Sequence, residues 1–234
     1  MVRDIGKLAA GRMTYLCWCD DNGKVLDDGT VANLGHGLYR VTSAAPALHW
    51  FLQHARPFNV QVRDVSKSVA ALALQGPTSQ DLLRQICDAD MDSLRFFGLC
   101  EASFGDFRAQ ISRTGYTGDL GYEIWVENDS ALDLYDVLLA EGEKYNLEPV
   151  GLDALDISRV EAGFILRGVD YNGANDALVD EQRSTPFEIG LGWTVKLKNR
   201  QPFIGQAALQ RENCLLYTSP SPRDQRGSRM PSSA

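Results

Sequence analysis

Apolar and polar positions along the first third of the chain follow the pattern of short strands. Apolar runs at residues 15–18 and 38–42 are separated by Gly, Asn and Asp turn signals at 21–23 and 35–37. A continuous apolar run at 69–77 then predicts a buried strand that stops at its closing Gly-Pro. This part of the chain therefore predicts a β-rich region that runs into a more buried sheet.

The rest of the chain mixes helical and extended patterns without a regular βαβ alternation. Helical periodicity and capping residues predict helices at 46–58, 78–86, 131–145 and 151–166. Strands are predicted at 99–104, 107–113, 122–126 and near Trp193. The pattern favours an α+β fold with mostly antiparallel sheets and packed helices.

Composition and charge exclude several classes of partner. The 234 residues are 44% hydrophobic and 23% charged, which is typical of a globular protein of one or two domains. A formal charge of -8 argues against a nucleic-acid partner and against an anionic membrane surface. Five scattered cysteines form no disulfide or zinc pattern, and His36, His49 and His54 are too dispersed for a metal cluster. We see no secretory signal and expect a cytoplasmic protein, or a mitochondrial one if a eukaryotic targeting segment is missing.

The end of the chain differs in composition from everything before it. Residues 213–234 are rich in Ser, Pro and Arg, which predicts a disordered tail. From Cys214 to Ala234 the string also resembles the translation of a cDNA-library adapter. We therefore expect one folded region at 1–212 and an artefactual tail at 213–234.

Two acidic segments are candidates for chemistry. In "GKVLDDGTV", Asp27 and Asp28 are adjacent carboxylates that either form a solvated turn or place one acid in a pocket, where it could accept a proton or hold an amine. In "ISRTGYTGDLGYEIWV", Glu123 shares a strand face with Trp125. Glu123 is either simply exposed or a pocket acid that grips a cyclic amide or guanidine edge through paired hydrogen bonds. The glycines before it permit tight turns or close ligand approach.

Five segments in the same order resemble the aminomethyltransferase family, that is, the glycine-cleavage T-protein and its tetrahydrofolate-dependent relatives. They are "GKVLDDGTV", "LALQGP", "ISRTGYTGDLGYEI", "GLDALDISRVEAG" and "FEIGLGWTV". The resemblance implies the family's folate-binding domain without its C-terminal β-barrel, in a region truncated at both ends. It also implies tetrahydrofolate as the cofactor.

The resemblance implies roles for individual residues. Glu123 matches the acid that binds the amino-pyrimidine edge of the pterin. Asp27 matches the acid beside the reactive folate nitrogen, with Asp28 taking this role if the register is shifted by one. Tyr116 and Trp193 match aromatic residues of the folate pocket.

Tyr15 is a further cofactor-binding candidate, because its strand is expected to face Asp27. One departure lies in the predicted helix at 151–166, where Leu155 replaces an Arg of the T-protein. The resemblance as a whole implies a one-carbon transferase. This departure favours a less characterised branch of the family, which includes demethylases. The donor would be a small methyl or aminomethyl compound, with a carrier protein or a dehydrogenase as a further partner. A non-catalytic folate-binding relative that serves iron–sulfur cluster maintenance, or a truncated product without function, are the alternatives.

Overall fold

Two sheets organise the computed structural model, which describes residues 1–218. The first contains three strands in the order β1-β2-β3, and the second contains four in the order β4-β7-β6-β5. The strands are β1 (Arg12–Cys19), β2 (Val25–Gly35), β3 (Leu38–Val41), β4 (Val69–Gln75), β5 (Leu99–Phe104), β6 (Phe107–Ser112) and β7 (Gly121–Glu127). The helices are α1 (Leu48–Ala55), α2 (Ser79–Ile86), α3 (Ala131–Gly142), α4 (Leu152–Glu161) and α5 (Gln206–Thr218). The predicted α+β class with antiparallel strand pairing is confirmed.

The chain divides into two units. One unit holds Ile5–Tyr15 and Asp28–Tyr171, and it contains the whole four-stranded sheet. The other holds Met1–Asp4, Leu16–Asp27 and the chain from Asn172 onward. Strands β1 and β2 each cross the boundary between the units, and in β2 the boundary falls between Asp27 and Asp28.

The four-stranded sheet has one apolar face and one polar face. Strand β7 pairs antiparallel with β4 on one side and β6 on the other, so alternate residues of all three strands share a face. Tyr122, Ile124 and Val126 are buried on the apolar face, where they join the hydrophobic core of this unit. Burial of each large apolar side chain contributes about 1.5–3 kcal/mol relative to exposure. The face predicted from alternation in β7 is confirmed.

Helix α3 covers the core through two leucines one turn apart. Leu134 and Leu138 are buried in the core, as i, i+4 spacing predicts for one helix face. Leu132, near the start of the same helix, is 76% exposed. Ser130 precedes the helix but makes no side-chain capping hydrogen bond.

The hairpin between β2 and β3 turns through three consecutive residues with positive φ. Gly35 has φ 87, His36 has φ 51 and Gly37 has φ 77. Glycine adopts this left-handed backbone without the steric cost that a Cβ brings, which explains its use on both sides of His36. The turn closes an antiparallel pair in which Ala32 lies opposite Arg40.

Other predicted boundaries moved. The segment around Trp193 is a 3-10 turn at Gly192–Thr194 rather than a strand, so that prediction is wrong. Helix α5 continues to Thr218, past the predicted end of the folded region at 212, and residues 219–234 of the predicted tail lie outside the described residues. Within residues 1–218, no helix combines the length and apolar character needed to span a membrane.

Candidate functional site

The polar face of the four-stranded sheet carries Glu123 near its centre. Glu123 lies opposite Ser112 of β6 and Ala73 of β4, and Trp125 lies opposite Gln110. Directly opposed residues of antiparallel strands project to the same face, so these side chains form one surface. It is the face that turns away from the hydrophobic core.

A hydrogen-bonded chain ends at one oxygen of Glu123. The indole N–H of Trp125 donates to Ser112 Oγ at 3.2 Å, and Ser112 Oγ lies 2.7 Å from Thr114 Oγ1. The Thr114 hydroxyl then donates to Glu123 Oε2 at 2.6 Å. Because each hydroxyl accepts from one neighbour and donates to the next, the chain fixes the carboxylate orientation and its members strengthen one another. Glu123 Oε1 accepts no hydrogen bond from any residue in the described range 1–218.

Arg40 of β3 lies against the same surface. Its guanidinium carbon is 4.1 Å from the centroid of the Trp125 ring, and its Nη1 donates to Gln110 Oε1 at 2.8 Å. The Nε and Nη2 atoms are buried and have no hydrogen-bond partner among the described residues. Burial lowers the pKa of Arg40 to about 10, and the negative charge of Glu123 partly offsets that shift.

A second acidic centre forms around Asp28. The Tyr15 hydroxyl donates to Asp28 Oδ2 at 2.5 Å, and the Tyr171 hydroxyl donates to Asp28 Oδ1. The two carboxylate oxygens are therefore each held by a phenol. Tyr171 is a site residue that the sequence reasoning missed, because it lies in an irregular segment after α4 with no periodic signal.

Tyr116 is fixed by a hydrogen bond and by ring stacking. Its hydroxyl donates to the Ile165 carbonyl at 2.6 Å, and its ring stacks on Phe164 with centroids 5.6 Å apart. Burial raises the pKa of Tyr116, Arg159 opposes that shift, and the negative charge of Asp28 adds to it.

Arg159 anchors the segment that carries Phe164. Its Nε donates to Asp156 at 2.7 Å, and its Nη1 donates to the Phe164 carbonyl at 3.0 Å and to Asp170. The side chain is 2% exposed, so these contacts satisfy a charge that is buried. Arg159 thereby connects α4 to the segment that positions the ring beneath Tyr116.

The glycines before Glu123 have a packing role. A Cβ on Gly115 or on Gly121 would lie 1.9 Å from Oε1 of Gln75. Gln75 uses this space to donate from Nε2 to the carbonyls of Tyr122 at 3.0 Å and Thr114 at 3.4 Å. Among Gly115, Gly118 and Gly121, only Gly118 has a positive φ, at +79. The absent side chains therefore make room for a glutamine, which neither of the sequence alternatives anticipated.

The structure places the six predicted site residues in two groups. Tyr15, Asp28, Tyr116 and Glu123 belong to one unit. Asp27 and Trp193 belong to the other. Asp27 is 3% exposed within β2, so the pair does not form the solvated turn that was one sequence alternative. Trp193 is 56% exposed, and the guanidinium of Arg3 lies 5.6 Å from its ring centroid.

Comparison with known proteins gives the context for these residues. The family model described as "GCVT N-terminal domain" matches residues 1–199. Aminomethyltransferase from Clostridium botulinum (strain Loch Maree / Type A3) is 34% identical over 217 residues, which cover 91% of this chain and 56% of that protein. Aminomethyltransferase from Thermotoga neapolitana is 32% identical over 213 residues, which cover 89% of this chain and 56% of that protein.

A solved structure agrees with the sequence comparison. Glycine cleavage system aminomethyltransferase T from Bartonella henselae matches with a TM-score of 0.73 and 25% sequence identity, over 89% of this chain and 54% of that chain. The chain spans about half the length of the curated relatives it matches. The family model covers far more than half of the sequence, and the chain therefore belongs to the aminomethyltransferase family, of which it carries the GCVT N-terminal domain.

Proposed function

We propose that this chain carries the folate-binding residues of a tetrahydrofolate-dependent one-carbon transferase. The observation that carries the proposal is the Glu123 carboxylate, which is held through one oxygen by Thr114 and leaves its other oxygen open. An open, oriented carboxylate is suited to the donor-rich amino-pyrimidine edge of a pterin, because it accepts hydrogen bonds as a charged group. The relatives named aminomethyltransferase support the same reading.

Asp28 is the better candidate of the acidic pair for the transfer step. Alternate residues of a strand project to opposite faces, so only one of the two carboxylates can serve a given pocket. Asp28 has a tyrosine hydroxyl on each oxygen, whereas Asp27 is almost fully buried. We propose that Asp28, oriented by Tyr15 and Tyr171, lies beside the reactive folate nitrogen. There it would hold a proton or orient the one-carbon donor.

Aromatic contacts complete the proposed folate site. Tyr116 offers a flat surface already stacked on Phe164, which suits an aryl or pterin ring. Trp193 belongs to the other unit and stays a prediction from the family resemblance. We infer a small methyl or aminomethyl compound as the donor. A carrier protein or a dehydrogenase is the corresponding partner.

Folate titration tests the proposal directly. Tetrahydrofolate is added to the chain, binding is followed by intrinsic tryptophan fluorescence, and Glu123→Gln is compared with Glu127→Gln. Glu127 is an exposed carboxylate at the end of the same strand, so its variant changes the net charge equally. Loss of charge-assisted hydrogen bonds of about 1.5–3 kcal/mol corresponds to a roughly 10- to 100-fold weaker affinity for Glu123→Gln. Equal affinity in the two variants would rule out the assignment of Glu123.

Transfer is tested separately with Asp28→Asn. Binding of tetrahydrofolate is expected to persist, while transfer from a methyl or aminomethyl donor falls by at least about 100-fold. Asp27→Asn measures the alternative assignment in the same assay. Folate binding without transfer from any donor in the wild-type chain would favour the non-catalytic relative.

A further inference from the structure

We propose that Arg40 determines ligand specificity by donating hydrogen bonds to a carbonyl oxygen on the same ring edge that Glu123 holds. The site would thereby select a ring in which an N–H lies beside a C=O. The inference rests on the proposed function, because a pterin with its 4-oxo group is the ring concerned. It adds to that function a residue, Arg40, that donates hydrogen bonds to the 4-oxo group.

The guanidinium of Arg40 is held in place but only partly satisfied. Trp125 supports one side of it at 4.1 Å, and Gln110 fixes Nη1 at 2.8 Å. These contacts position the group, yet Nε and Nη2 are buried without an acceptor among the described residues. Buried donors in proteins nearly always have a partner, because an unmade hydrogen bond leaves the cost of desolvation uncompensated. The two N–H groups therefore indicate an acceptor that a ligand supplies.

The open acceptor of Glu123 lies in the electrostatic neighbourhood of these donors. The Trp125 ring against Arg40 is linked to Glu123 by the hydrogen bonds through Ser112 and Thr114. Gln110, which accepts from Arg40, lies on the same sheet face as Glu123. The negative charge of Glu123 also offsets part of the lowering of the Arg40 pKa that burial causes. Arg40 and Glu123 nevertheless form no hydrogen bond or ion pair with each other, since Arg40 donates to Gln110 and Glu123 accepts from Thr114. An acceptor without a donor and two buried nitrogens without an acceptor thus belong to side chains that lie on one face of the sheet.

This arrangement defines the chemistry of the group that binds there. Glu123 Oε1 takes an N–H, and the Arg40 donors take an oxygen next to it. A lactam edge, in which N–H and C=O are adjacent in one ring, presents both. A ring with an amino group in place of the oxygen presents a donor to Arg40, so the donors would oppose each other and the cation would remain unpaired. The neighbouring ring nitrogen then carries no hydrogen, so Glu123 also loses its donor at that position.

A bracing role alone explains less of the geometry. A brace between β3 and the four-stranded sheet requires the contact with Trp125 and the bond to Gln110, and neither contact supplies an acceptor for Nε or Nη2. It gives no reason to bury Nε and Nη2 without acceptors. The two roles also differ in what they predict, because a brace affects all ligands alike whereas a specificity residue changes their ratio.

The experiment compares two ligands on three proteins. Tetrahydrofolate and its 4-amino analogue are titrated into the wild-type chain, Arg40→Met and Arg108→Met. Arg108 is an exposed arginine of β6 paired with Glu101, so its variant changes the net charge by the same amount. We expect the wild type to prefer the 4-oxo ligand. Arg40→Met should weaken the 4-oxo ligand about tenfold, leave the 4-amino ligand unchanged or tighter, and so reduce the preference at least about tenfold, while Arg108→Met should behave as wild type. The preference that remains comes from Glu123, because only the 4-oxo ring offers it a ring N–H.

Arg40→Lys provides a second variant that retains the charge. A single ammonium can donate to the oxygen without the planar fork, so the preference for the 4-oxo ligand should fall between those of the wild type and Arg40→Met. An unchanged ratio of the two affinities in both variants would overturn the role of Arg40 while leaving the proposed function intact, provided that Glu123→Gln still loses binding. A wild-type chain that binds neither ligand would overturn both.

Discussion

Replacing Gly121 by alanine tests how the sequence before Glu123 is packed. The new Cβ would lie 1.9 Å from Gln75 Oε1, so the glutamine amide must leave its place. It would lose the bond to the Tyr122 carbonyl at 3.0 Å and the longer ones to Thr114 and from Thr117, at 3.4 Å and 3.3 Å. The backbone at Gly121 is not in the left-handed region, so no dihedral strain is added.

The size of the effect follows from these contacts. One good and two long hydrogen bonds contribute about 1–3 kcal/mol net. Removing glycine flexibility from the unfolded chain returns about 0.4–1 kcal/mol. Gly121→Ala should therefore lower the free energy of unfolding by about 1–2 kcal/mol. For a chain of this size that corresponds to a decrease in Tm of about 2–8 °C.

A double-mutant cycle with Gln75→Ala isolates the mechanism. Unfolding in urea is followed by far-ultraviolet circular dichroism for the wild type, both single variants and the double variant. The three heavy atoms nearest to the new Cβ all belong to the Gln75 side-chain amide, so Gly121→Ala should become neutral or slightly stabilising in that background. Equal destabilisation in both backgrounds would refute the account, because the cost would then come from something other than Gln75.

Three further outcomes are expected. Leu134→Ala should lower the free energy of unfolding by about 2–5 kcal/mol, whereas Leu132→Ala, at 76% exposure, should change it by less than about 0.5 kcal/mol in the same urea titration. Burial raises the pKa of Tyr116 in the folded state, so the unfolded state loses this proton at lower pH. Stability should therefore fall as the pH rises above about 10. Tyr116→Phe should reduce that fall in melting curves recorded at alkaline pH. Arg40→Met should leave the free energy of unfolding at neutral pH unchanged or raise it, because the variant removes a buried charge whose pKa is lowered to about 10. A marked loss of stability would show that the arginine mainly braces the fold.

The sheet that carries the site was predictable because its pattern is local. Alternation from Tyr122 to Val126 assigns the two faces of β7, and the structure keeps Glu123 and Trp125 off the core side. The segment near Trp193 has similar β-forming residues, but it forms a 3-10 turn. Strand formation depends on a partner strand, and sequence composition does not reveal whether one is present.

The contacts that complete the site come from distant parts of the chain. Tyr171 meets Asp28 across 143 positions, and Arg40 meets Gln110 across 70. No local periodicity encodes such pairs. Local sequence also does not decide between Asp27 and Asp28, because a one-residue shift in register exchanges the two faces of a strand.

The two faces of the four-stranded sheet differ in how their polar and apolar groups are satisfied. Its apolar face supplies the buried contacts of the core, while its other face keeps an open carboxylate oxygen and two unpaired guanidinium donors. Unpaired polar groups lower stability, so selection for folding alone would have replaced them with groups that pair or pack. Arg40 costs free energy through its lowered pKa and gains nothing from Nε or Nη2 within the described part of the protein. Arg40 is costly to folding, yet Trp125 and Gln110 hold it in one position, and this combination is typical of a ligand contact. Its replacement should therefore change the ratio of 4-oxo to 4-amino binding rather than lower the Tm.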